Sequence, residues 1–119
     1  MEFTLYDRNG SPIVYSEDGE NIFTFDGSPV AYLYDDKVYN FFGQQLGWFD
    51  GHWMRDLNGK CVFFTENDGG SGPVKPVKSV RQVKSVKSVK PVKSVRSVAK
   101  VRAVNSLSWS ELSGSIFFQ

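Results

Sequence analysis

The sequence predicts a mostly β protein: four repeated β-hairpins, about eight short antiparallel strands, then a long period-three segment of polyproline-II type and a short apolar C-terminal plug. Three observations lead there. Glycines at 10, 27, 43 and 59 recur with spacings of 17, 16 and 16 inside similar aromatic-rich stretches. Valine then returns at every third position from Val74 to Val104, eleven times without a miss. Six large apolar residues finally crowd into the last thirteen positions, after a segment without any aromatic residue.

The hairpins occupy residues 1–68. Four pieces align, "LYDRNGSPIVY", "TFDGSPVAY", "NFFGQQLGW" and "RDLNGKCVFF", each with a turn glycine followed by an apolar pair ending near an aromatic. Asn9-Gly10, Asp18-Gly19, Asp26-Gly27, Asp35-Asp36, Asp50-Gly51 and Asn58-Gly59 are dipeptides that tolerate positive φ in tight turns, and they punctuate strand-like runs of about five residues. No stretch before residue 105 has the period and capping of a helix. Fifteen of the eighteen aromatic residues lie here, which lets so short a domain build a core. The "NDGGSG" from Asn67 to Gly72 then predicts a linker over 69–72.

The array spans 73–106, and its period selects the backbone. On an α-helix a period-three stripe circles the axis, and on a strand successive members alternate faces. Polyproline II has three residues per turn, so the valines Val74, Val77, Val80, Val83, Val86, Val89, Val92, Val95, Val98, Val101 and Val104 form one ridge. Collagen is excluded, since no glycine falls in the array. A second, basic ridge runs through Lys75, Lys78, Arg81, Lys84, Lys87, Lys90, Lys93 and Arg96, breaks at Ala99 and returns at Arg102, while Lys100 falls at the third triplet position. The third triplet position is proline or a small residue at most places. A tail selected only for charge has no reason to hold valine in register, so the array is expected to be ordered. A lone rod, about 95 Å long if straight, would make no backbone hydrogen bonds of its own and would leave its valines wet. Order therefore requires a lateral partner. Because a domain of some 65 residues looks too small to line that length, two arrangements are expected: short legs folded back around the β domain, or copies bundled with valines inward and lysines outward.

Charge separates the two halves. Residues 1–68 carry twelve acidic and four basic side chains, a net of −8, whereas 73–106 carry ten basic and no acidic ones, a net of +10. The halves are mutual partners, within one chain or between copies. One cysteine, Cys61, excludes an internal disulfide framework, and no run approaches a membrane span in length. A soluble cytoplasmic protein is expected. The segment 107–119 reads as a docking piece, with Trp109, Phe117 and Phe118 its strongest anchors and Ser108 or Ser110 available to cap a short helix.

A search for catalytic chemistry finds little. His52 is the only histidine, and although Asp50 and Asp56 flank it, a polar residue beside a turn explains it equally well. Cys61 in "KCVFF" reads as a small core residue. The Asp-Gly pairs lack calcium-loop spacing, and there is no phosphate-binding or nucleophile-elbow motif. Trp48, Trp53, Tyr32, Tyr34 and Tyr39 are better placed for packing than as a stacking platform. No catalytic residue, metal ligand, cofactor or small-molecule substrate is expected.

Four tight β units with "FGQQLGW" and "DLNGKCVFF", a Pro/Val/Ser array studded with Lys and Arg, and a closing "SWSELSGSIFF" together resemble the bacterial four-fold beta flower proteins over nearly the whole chain. The resemblance implies a β domain of fourfold arrangement, four hairpins in one chain or four chains around an axis, and assigns no function. The residues themselves favour a non-enzymatic structural protein that self-assembles as a homo-oligomer or fibre, its valine ridge packing on identical chains or folding back on the β domain. The alternative is a polyanion-binding module, nucleic acid included, that uses the ten basic residues from Lys75 to Arg102.

Overall fold

The computed structural model describes residues 2–67, 69–112 and 114–119. Met1, Asp68 and Ser113, which fall in the expected hairpin domain and C-terminal segment, lie outside the described residues.

Eight strands form, as the turn signals require: β1 (Phe3–Tyr6), β2 (Pro12–Ser16), β3 (Asn21–Thr24), β4 (Pro29–Tyr34), β5 (Lys37–Tyr39), β6 (Gln45–Phe49), β7 (Trp53–Asp56) and β8 (Cys61–Phe64). Each pairs antiparallel with the next, and β1 pairs with β8 at Tyr6 and Phe64, so the sheet closes into a barrel. The four expected hairpins are β1–β2, β3–β4, β5–β6 and β7–β8, all in one chain. Closure itself was not legible in the sequence, because a strand's period says which face is buried but not which distant strand it meets.

The spacing of 17, 16 and 16 holds for every layer of the barrel. Leu5, Ile22, Val38 and Met54 point inward, each fully buried, and the sheet bulges after each of them. A bulge at the same place in each hairpin adds the curvature that lets such short strands close. A second inner layer is Val14, Ala31, Gly47 and Phe63. Its small members leave room for Phe63, which also stacks on Phe118 at 5.6 Å and meets Phe117 edge-on at 5.8 Å. Phe117 and Phe118 sit in a 3-10 helix (Gly114–Phe118) and belong to the barrel's inner cluster.

The turns that close the hairpins share one design. Asp7, Thr24, Asn40 and Asp56 each accept a bond from the turn glycine's N–H through their own carbonyl. The side chains of Asp7, Asn40 and Asp56 also accept the N–H two and four residues on, at 2.9–3.0 Å. Gly10, Gly27, Gly43 and Gly59 have φ between +81° and +94°, the left-handed region that disfavours any side chain.

From residue 74 to residue 106 the chain makes neither helix nor regular strand. It runs around the outside of the barrel, past the four glycine turns in order. Among the described residues no helix is long and apolar enough to cross a membrane.

Candidate functional site

The belt made by the array and the barrel wall beneath it is where the unusual residues of this chain meet. Period-two alternation aims the neighbours of the inner layers outward: Tyr6, Phe23, Tyr39 and Arg55 in one layer, Tyr15, Tyr32, Trp48 and Phe64 in the other. On a bare barrel these seven rings and Arg55 would face water. Here all eight side chains are buried, because the array lies over them.

The register between array and barrel is nine residues per hairpin. Ser79, Ser88, Ser97 and Ser106 donate their N–H to the carbonyls of Gly10, Gly27, Gly43 and Gly59, at 2.8–3.0 Å. The carbonyl oxygens of Val77, Val86, Val95 and Val104 lie so close to the same four glycines that a Cβ at any of them would overlap the oxygen. The glycines therefore serve twice, for the turn and for the approach of the belt. Ser85 and Ser94 add bonds to Phe25 and Phe41, and Ser108, Trp109 and Ser110 continue the track as a short parallel bridge with Cys61. Pro76, at the place equivalent to Ser85 and Ser94, has no N–H to give.

The basic ridge obeys the same register. Lys75, Lys84, Lys93 and Arg102 lie over Phe64, Tyr15, Tyr32 and Trp48, one per hairpin, at 5.8, 4.5, 4.4 and 5.3 Å from the ring centres. Lys78, Lys87 and Arg96 lie over Tyr6, Phe23 and Tyr39 at 5.9, 5.0 and 5.9 Å. Arg96 also stacks on Tyr34 at 3.7 Å. Each such contact is worth about 0.5–1 kcal/mol at an exposed site and more where water is excluded. The remaining class, Arg81, Lys90 and Ala99, is assigned no ring, which accounts for the break at Ala99. Arg81 bonds the Thr4 hydroxyl instead.

The fourth hairpin inverts the pairing. Arg55 stands where its equivalents are aromatic, and Asn105 stands where the array elsewhere carries a cation. Buried to 1% exposure, Arg55 donates to the carbonyls of Gly59 at 2.9 Å and Ser106 at 2.7 Å, and to that of Ser71. Ser71 precedes the array and Ser106 ends it, so one guanidinium ties together the two ends of the circuit. Sequence reading missed Arg55, although its place in an aromatic series was a visible departure. The far end has a second tie, a 2.5 Å hydrogen bond from the buried Ser110 hydroxyl to Asp56.

The acidic surplus of the barrel faces the belt. Lys84 pairs with Glu2 at 2.8 Å and Glu17 at 3.3 Å, Lys87 with Glu17, Lys93 with Glu20 at 3.2 Å, and Arg102 with Asp36 at 3.4 Å. Hydrogen bonding to Lys84 holds Glu2 below the usual carboxylate range, and bonding to Lys87 and Lys84 does the same for Glu17. Reciprocally, Lys84 is raised by its bond to Glu2 and Lys87 by its bond to Glu17. The attraction between the two halves of the sequence is thus met within one chain.

The valines have the orientation opposite to the one expected. All eleven are 90–95% exposed and face outward, while seven of the ten cations lie inward on aromatic rings. The domain is also large enough to line the array, because the chain bends around its circumference. Leu107, 65% exposed, extends the valine series to a twelfth position, so each nine-residue quarter displays three apolar side chains. Trp109 packs edge-on against Trp53 at 5.6 Å, and Gly72 passes tight against the Trp53 ring at the other end of the array.

The other candidates resolve as packing. Asp50 accepts from the backbone N–H of His52 and Trp53, and Asp56 from its turn and Ser110, so neither is spent on an imidazole. Burial pushes the Cys61 thiol up to about 11, far from a reactive thiolate. Trp48, Trp53, Tyr32 and Tyr39 are buried beneath or beside the belt. No cluster of metal-ligating side chains occurs among the described residues.

A closed barrel of four equivalent hairpins, ringed by a tail of the same chain in matching register, defines a fourfold β-barrel protein with an intrinsic belt. The chain belongs to the 4-fold beta flower protein family, whose family model matches residues 3–118, barrel, belt and C-terminal segment together. No curated protein and no solved structure matches it.

Proposed function

We propose that this chain is a non-enzymatic structural protein that self-associates through the apolar rim of its belt. The observation that carries the reading is the outward row of eleven valines, each at least nine-tenths exposed. Scattered apolar residues on a surface need no explanation, but a contiguous exposed series marks an interaction site. We read the belt as polyproline II. Nine residues then span about 28 Å and one full circuit about 110 Å, which is the circumference of a disc 36 Å across, the long dimension of this molecule. Three residues per turn keeps valine outward at every triplet while the other two positions serve the rings and the turn carbonyls. In this reading Phe117 and Phe118 are the plug that fixes the far end.

Energetics favour assembly over isolated pairs. If a quarter of one rim meets a quarter of another, six valines leave water, a gain of roughly 9–18 kcal/mol at full burial. Association costs roughly 4–15 kcal/mol. A single edge is therefore marginal, but four equivalent edges reinforce one another in a sheet or fibre. The polyanion-binding alternative has less support, because most of the ring's cations already lie on aromatic rings or carboxylates of the barrel, and binding would have to compete with those contacts.

The test is replacement of Val83, Val86, Val89 and Val92 by serine. These side chains are in water in the single chain, so the melting temperature should stay within a few degrees while the assembled mass falls in native mass spectrometry. An unchanged assembly rules out the valine rim. Strongly salt-dependent capture of a polyanion by both forms alike would favour the alternative.

A further inference from the structure

The face of the disc that carries the four glycine turns breaks the fourfold pattern at one point, and there the molecule has both a knob and a hole. The turn tips are Asn9, Asp26, Phe42 and Asn58. Phe42 alone is apolar, and it stands 81% exposed. Phe42 borders a cleft of about 290 Å³ at the seam between the second and third hairpins, whose apolar wall is completed by Pro29, Val30, Phe41, Phe118 and the belt residues Pro91 and Val92. Ile116 and Leu112 are exposed on the C-terminal segment, beside the fourth turn.

We propose that this face binds a second copy of the chain about a two-fold axis lying in the face and passing through that seam. A two-fold contact is self-complementary, so each Phe42 enters the partner copy's cleft from the Pro29 side. The same operation reverses the order of the hairpins around the disc: the second hairpin faces the third, and the first faces the fourth. Arg8, exposed at the tip of the first turn, is thereby laid against the fourth, where Glu111 is exposed beside Lys60 and Asp56. That region carries one net negative charge, so the axis that seats Phe42 also matches charge on the far side of the disc. A disc 36 Å across offers roughly 1,000 Å² per face. The total for two faces lies at the upper end of the roughly 1,200–2,000 Å² of stable specific interfaces. This contact lies across the rim rather than along it, and of the outward valines only Val92 borders the cleft.

Sedimentation equilibrium of the full chain over a range of concentrations tests the proposal. A variant with serine at Leu107 and at every belt valine except Val92, which borders the cleft, isolates the face contact and should run as a dimer. Phe42→Asn places at that tip the residue found at the equivalent positions 9 and 58, so the fold tolerates it. In the serine background it should weaken the dimer on the order of tenfold or more, the loss expected for a central aromatic anchor. Arg8→Glu and Glu111→Arg should each weaken the dimer, and together should recover most of the affinity. A serine variant that stays monomeric up to about 1 mM, a Phe42→Asn form that dimerises unchanged, or a double charge swap no better than the single changes overturns the proposal. None of these outcomes bears on whether the valine rim assembles, which the valine series alone decides.

Discussion

Removing one triplet from the belt and adding one should have unequal effects, because the belt is fastened at fixed points. Between the Ser88 bond to Gly27 and the Ser94 bond to Phe41 the chain has six residues to spend. On the polyproline II reading they cover about 19 Å at 3.1 Å per residue. Deleting Val89, Lys90 and Pro91 preserves the Val-Lys-Ser order and almost all the charge, yet three residues reach at most about 11 Å when fully extended. The missing 8 Å has to come from the far side, so every later contact slides by one triplet or lets go. Sliding pulls Ser108 and Ser110 off Cys61 and draws Phe117 and Phe118 out of the inner cluster. The two phenylalanines are worth roughly 3–6 kcal/mol and the two backbone bonds roughly 1–3 kcal/mol. That is a large share of the roughly 5–15 kcal/mol that stabilises a domain. Inserting Val-Lys-Ser after Ser88 only lets a short loop stand out at a register where no ring waits, for about 1 kcal/mol or less. Thermal unfolding followed by circular dichroism, with hydrogen exchange at the Cys61 amide, distinguishes the two. The deletion should lower the melting temperature by tens of degrees and expose Cys61, and the insertion should do neither. Equal behaviour of the two variants would refute a belt anchored every nine residues.

Two further outcomes follow from the belt. Arg55→Tyr should destabilise the fold by about 3 kcal/mol by freeing three backbone carbonyls at the seam, and adding Asn105→Lys should recover about 0.5–2 kcal/mol by rebuilding the cation-on-ring pair of the other hairpins; a double-mutant cycle in denaturant with no coupling contradicts the inverted pairing. The ion pairs set a pH window whose signs differ at its two ends. Glu2 and Glu17 are held below their ordinary 4.5, so their contribution is complete above that value and is lost as pH falls through the lowered ones. Lys84 and Lys87 are raised above 10.5, so theirs is complete below that value and is lost as pH climbs through the raised ones. Melting temperature against pH should be flat between and fall on both sides, with Glu17→Gln flattening the acid limb; an acid limb that Glu17→Gln leaves unaltered removes this residue from the account.

Much of the hairpin domain was legible because each strand solves a local problem. Glycine turns at 10, 27, 43 and 59 and alternating apolar residues specify strands and turns without reference to anything distant. The orientation of the array was not legible from composition, since an isolated rod hides valine and exposes lysine. That reasoning treats the barrel as a closed globule with nothing to bury. The barrel instead offers a wall of aromatic faces, on which a lysine stem and its ammonium both find a place, and a valine would leave the ring quadrupole unused.

The information for the wrap was nevertheless in the sequence, in its irregularities. A perfect triplet repeat carries no register beyond three. Ala99 and Asn105 break the repeat of cations, and they do so in step with a nine-residue count laid against the hairpins' sixteen or seventeen. Ala99 falls in the cation class that has no ring, and Asn105 falls opposite the one barrel position where Arg55 replaces a ring. A free tail or a bundle of identical rods would place such breaks without regard to the count of glycine turns. Their agreement with that count ties each triplet to one address on the barrel, and four such addresses per layer are enough to turn a period of three into a ring that can be wound in only one register.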